Sequence, residues 1–73
     1  MKQDVQFQVE CLTRDLIVTL AEEYGWDSEK AMDTLYQSET FARLEDERSG
    51  LYYQSPVYVF DILKHEIETG RVN

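Results

Sequence analysis

Apolar residues recur at three- and four-residue steps through Val5, Val9, Leu12, Leu16, Leu20 and Tyr24, the spacing of one helical face. The pattern predicts a first helix from about Asp4 to Tyr24, with Asp4 as a cap or first-turn carboxylate and Gly25 as its stop. Phe7, Cys11, Ile17 and Val18 widen the apolar face well beyond one stripe. A helix this broadly apolar must be central, or must bury a second face against another subunit.

The rest of the chain divides at its caps. Asp27 or Ser28 can cap a second helix over 28–36, with Ala31, Met32, Leu35 and Tyr36 inward and Lys30, Asp33 and Thr34 outward. Ser38 can cap a short third helix of about Glu39 to Glu47, with Phe41 and Leu44 inward. Its last turn carries Glu45, Asp46 and Glu47, where the helix dipole disfavours negative charge, although Arg43 and Arg48 flank it. Ser55 as cap and Pro56 at the first helical position open a fourth helix that reaches Thr69, with Gly70 as its stop. Val59, Phe60, Leu63 and Ile67 form its buried stripe, with Val57 and Ile62 at the margins. The fold expected is all-α, a compact bundle of about four helices with two short ones in the middle, in one domain spanning residues 1–73.

Gly50, Leu51, Tyr52 and Tyr53 lie between the third and fourth helices, where a connection is normally polar, so something must cover them. They form a packed corner and a candidate contact surface. The same stretch is rich in β-forming residues, which leaves an edge hairpin around residues 50–58 as the structural alternative, although Ser55-Pro56 interrupts it.

Composition narrows the function classes. Fifteen acidic against 7 basic residues give a net charge of −8, which repels phosphate backbones and argues against nucleic-acid binding. The second and third helices could imitate a helix-turn-helix, but the third carries Glu39, Glu45, Asp46 and Glu47 where a DNA reader needs basic or amide side chains. No stretch approaches the ~18 apolar residues of a membrane span, and Met1 to Glu10 has no apolar run of a signal peptide. No membrane association is expected, and the location expected is cytoplasmic. One cysteine excludes an internal disulfide and a cysteine zinc cluster. For a chain this small, oligomerisation is then the most available supplement to a limited core.

Candidate chemistry is sparse, and neither a cofactor nor a metal is expected. Glu45, Asp46 and Glu47 resemble a cation site only in charge, because consecutive helical residues point about 100° apart. Asp61 and His65, one turn apart, could orient a general base or supply part of a metal site. No serine or cysteine stands at a useful spacing, and the favourable dipole at a helix C-terminus explains a histidine more simply. Cys11 sits between apolar neighbours, where cysteine usually serves as a small apolar residue. The aromatics form a stronger set. Trp26, Phe41 and Phe60 suit the core, whereas Tyr52, Tyr53 and Tyr58 suit either a corner or an interface, where tyrosine combines apolar area with one polar tip.

Two blocks are distinctive: Asp33-Thr34-Leu35-Tyr36-Gln37-Ser38-Glu39-Thr40-Phe41, and Gly50-Leu51-Tyr52-Tyr53-Gln54-Ser55-Pro56-Val57-Tyr58-Val59. At this separation they resemble those of a family of short bacterial proteins of unknown function, often encoded beside toxin-like ADP-ribosyltransferase domains. The resemblance implies an antitoxin-like or accessory partner and carries over no catalytic residue. Physically, the blocks coincide with two helix caps and the aromatic corner.

A non-enzymatic interaction module is therefore expected, docking a protein partner through Tyr52, Tyr53 and Tyr58 and an acidic rim. A structural homo-oligomer burying Phe7, Cys11 and Val18 is the second reading, and a hydrolytic or metal-dependent enzyme using Asp61 and His65 the third.

Overall fold

A computed structural model describes residues 5–70, so the Asp4 cap lies outside the described residues. Among the described residues four helices form: α1 (Val5–Tyr24), α2 (Ser28–Tyr36), α3 (Glu39–Glu45) and α4 (Pro56–Thr69). Two 3-10 turns, Glu47–Ser49 and Leu51–Tyr53, bridge α3 and α4. The expected all-α bundle with two short middle helices is what the chain adopts, and the 50–58 segment consists of turns and the first turn of α4 rather than a hairpin.

The α1 helix is the spine. Twenty residues rising about 1.5 Å each span about 30 Å, most of the 39 Å long axis of the protein. Its buried stripe is Val9, Leu12, Leu16 and Leu20, and α2 and α4 pack along it. Ala31 and Leu35 from α2, Leu44 from α3, Leu51 from the second turn, and Val59 and Leu63 from α4 complete one cluster of buried apolar side chains. The expected inward residue Tyr36 differs. At the last position of α2 it is 52% exposed, because the chain turns away there and its ring meets only the edge of Phe41 rather than the core.

Each of the three caps expected within the chain forms. Asp27 accepts from the Lys30 N–H at 2.8 Å, Ser38 from Phe41 at 3.0 Å, and Ser55 from Tyr58 at 3.2 Å. The third helix ends two residues early, at Glu45, because Asp46 leaves the helix to cap the next turn. The Asp46 carboxylate accepts the Arg48 backbone N–H at 3.0 Å and the Arg48 Nε and Nη2 donors at 3.1 Å each. Those hydrogen bonds hold its carboxyl below the usual aspartate range. Leaving the helix also removes a carboxylate from an end whose dipole opposes it.

The N-terminus of α3 is tied to α4 by one side chain. The first four N–H groups of a helix lack intrahelical partners, and all four find one here. Ser38 N–H donates to the Leu35 carbonyl at 3.0 Å, and Phe41 N–H to the Ser38 hydroxyl. The other two donate to Glu66 on α4, Glu39 N–H at 2.8 Å and Thr40 N–H at 3.0 Å. The hydroxyl of the fully buried Thr40 adds a third hydrogen bond to the same carboxylate at 2.7 Å. Burial alone would raise the Glu66 carboxyl, but these donors, with Arg43 nearby, outweigh it and hold the group below its ordinary value of 4.5.

Glu66→Gln should therefore destabilise the protein by about 1–2 kcal/mol at neutral pH, the upper part of the range for a lost helix cap. A depressed folded-state value means that the carboxylate's contribution is full above pH 4.5 and is lost as pH falls through the lower value. Urea titrations of the two proteins should differ at pH 7 and converge in acid. A difference that persists unchanged in acid would assign the effect to packing rather than charge.

Candidate groove beside the tyrosine corner

The corner is built from the end of α3 outward. The Ser49 hydroxyl lies within hydrogen-bonding reach of the Arg43 and Asp46 carbonyls, the latter at 2.9 Å, and accepts the Leu51 N–H at 3.2 Å. Gly50 then takes a left-handed conformation (φ 75°) that turns the chain and drives Leu51 into the core between α1 and α3. The two tyrosines that follow have different tasks. Tyr52 is partly buried against the core, whereas Tyr53 is 67% exposed with its ring laid over Gly50. A Cβ on Gly50 would stand 3.0 Å from the Tyr53 hydroxyl oxygen and 3.2 Å from Cζ. The two rings meet edge to face, 5.2 Å apart at 86°, a favourable aromatic arrangement.

Between this corner and α1 runs an open groove of about 300 Å³. Phe7, Cys11, Leu12 and Asp15 of α1 form one wall, and Tyr52 and Tyr53 the other. Residues singled out separately in the sequence, Phe7 and Cys11 for self-association and Tyr52 and Tyr53 for partner contact, thus share one surface. Val18 and Tyr58 do not line it. Val18, 49% exposed, continues the crest of α1 beyond Phe7 and Cys11, since positions 7, 11 and 18 fall within about 40° of one another around the helix. Tyr58, 52% exposed, stands on the first turn of α4.

A second groove of about 320 Å³ flanks the opposite side of the α1 crest, where Tyr36 and Phe41 meet edge to face at 5.1 Å. Sequence reasoning missed it by assigning Tyr36 to the interior, whereas Phe41 does pack partly buried against the core as expected. The available signal was the position of Tyr36 at the last residue of its helix. This lining carries charges of both signs, Glu10, Arg14 and Glu45.

The remaining candidates stay apart. Asp61 and His65 are both exposed on α4, and among the described residues no hydrogen bond or ion pair joins them. Glu45, Asp46 and Glu47 fall on three different local structures, and the middle carboxylate is taken by Arg48. Among the described residues no group of three His, Cys, Asp or Glu is placed to hold a metal ion, and no helix is long and apolar enough to cross a membrane. No family model, curated protein or solved structure matches this chain.

The division of labour within the corner can be measured. Gly50→Ala should cost about 1–2 kcal/mol for the left-handed backbone, and displacement of the Tyr53 ring should add to it. Tyr52→Ala should cost about 2 kcal/mol and Tyr53→Ala under about 1 kcal/mol, since only the first leaves a hole against the core. Equal losses in urea denaturation for the two tyrosines would refute this division.

Proposed function

We propose that this chain is a non-enzymatic protein-interaction module, docking a protein partner through the tyrosine corner in the manner of a small antitoxin or accessory subunit. The observation that carries the reading is the groove itself. Tyr53 and Phe7, at 67% and 60% exposure, flank one concave surface whose other wall is fixed by buried Leu51 and by the hydrogen bonds of Ser49. Exposed aromatic rings on a rigid support are the usual anchors of protein interfaces, because little conformational entropy is lost when they are covered. Tyr58 is assigned to the edge of the same contact region. The net charge of −8 favours basic partners and fast encounter over nucleic acid. The setting that fits is the bacterial cytoplasm, in keeping with the resemblance of the two sequence blocks.

The crest of α1 favours a second reading, a homo-oligomer burying Phe7, Cys11 and Val18, because Phe7 and Val18 are large apolar side chains at 60% and 49% exposure. The two readings separate on two variants and one dilution series. Tyr53→Ala should keep the helical circular-dichroism signal while capture of the partner from lysate falls by about tenfold, a hot-spot effect. Unchanged capture would remove the corner from the interface. A dimer in light scattering that persists on dilution and is lost in Val18→Asp would instead favour the homo-oligomer.

A further inference from the structure

The groove beside the corner places a carboxylate, Asp15, on the same lining as aromatic and apolar side chains. Elsewhere several carboxylates are engaged: Glu66 by α3, Asp46 by Arg48, Asp27 by the Lys30 N–H, and Glu23 by Lys64 at 3.4 Å. Among the described residues Asp15 is the one charged residue of the groove lining, and its carboxylate has no hydrogen bond or ion pair. It stands one turn after Cys11 on α1, across from the tyrosines. An anionic group, two tyrosines and an apolar floor of Leu12 and Cys11 together match a cationic head on an aliphatic stem. The stem lies on apolar surface while the head meets the carboxylate or an aromatic face.

We infer that the groove receives an arginine or lysine side chain of a protein partner, carried on a short apolar segment, with Asp15 as its counter-charge and Tyr52 and Tyr53 as its aromatic wall. This rests on the docking reading above and adds the chemistry of the occupant. A second copy of this chain fits less well. It would bring another −8 of charge to a groove whose charged side chain among the described residues, Asp15, is already negative. The volume, about 300 Å³, suits one or two side chains rather than a whole helix.

The test uses the full chain and two capped helical peptides, one of leucine, alanine and arginine and one with glutamate in place of arginine. Amide NMR shifts should move and saturate at Cys11, Asp15, Tyr52 and Tyr53 with the arginine peptide. The glutamate peptide should bind at least about tenfold more weakly, and Asp15→Arg should weaken the arginine peptide by a similar factor without changing the melting temperature. Asp15→Asn, isosteric and neutral, should give an intermediate loss. Equal binding of the two peptides overturns the inference, as do shifts spread over the acidic surface that ignore Asp15→Arg, or self-association that depends on Tyr53. Capture of a partner that needs Tyr53 but tolerates Asp15→Arg overturns the basic occupant and leaves the docking reading standing. Capture indifferent to both variants overturns the two together.

Discussion

One carboxylate decides where the middle of this chain goes. The α3 helix is seven residues long, too short to be stable by its own hydrogen bonding. Its position comes from two attachments: Leu44 in the core and Glu66, which reaches across from α4 to the N–H groups of Glu39 and Thr40 and to the Thr40 hydroxyl. The positive end of the helix dipole and a negative group meet there, so the contact is favourable electrostatically as well as by hydrogen bonding. It also satisfies the Thr40 hydroxyl on a side chain with no exposed surface, a group that would otherwise be costly to bury.

Everything after α3 inherits that placement. Asp46, Ser49 and Gly50 turn the chain within a few residues, each through a local interaction, and Leu51 drops into the core as a result. Tyr52 and Tyr53 are then held facing α1 before α4 begins at Pro56. The groove is therefore a product of the fold's stability rather than of a flexible loop. Its far wall belongs to α1, whose buried stripe supports the core from the opposite side. Coupling of this kind separates residues that shape the groove, such as Gly50 and Glu66, from residues that face it.

Local chemistry made most of the elements legible. Helix-period spacing and the Asp27, Ser38 and Ser55 caps mark α2, α4 and the start of α3, because each cap acts on a backbone group three residues away. The end of α3 was misplaced by two residues, since Asp46 could serve one helix or cap the next turn and only the pairing with Arg48 decides. Glu66 was invisible for a different reason. Its partners are 26 and 27 residues away, and nothing adjacent to it distinguishes a tertiary cap from any surface glutamate. The groove follows the same logic: Phe7 with Cys11, and Tyr52 with Tyr53, are conspicuous as separate pairs, but only the packing of the second turn on α1 makes them neighbours. Tyr36 shows the converse error, an apolar periodicity continued one residue past the point where the core stops.

The exposed apolar surface and the acidic surface are best understood together. Phe7, Val18, Tyr36, Tyr53, Val57 and Tyr58 are large apolar side chains left substantially in water by a chain of 73 residues. On a neutral protein such exposure invites self-association. A net charge of −8 opposes the approach of a second copy over distances up to the screening length, about 8–10 Å at physiological salt. The same field attracts a basic surface. Charge therefore selects who comes near, and the rigid tyrosine corner sets what can be gripped on arrival. Because the first effect is wholly electrostatic and the second rests largely on apolar and aromatic contact, the encounter rate should depend on ionic strength more strongly than the lifetime of the contact.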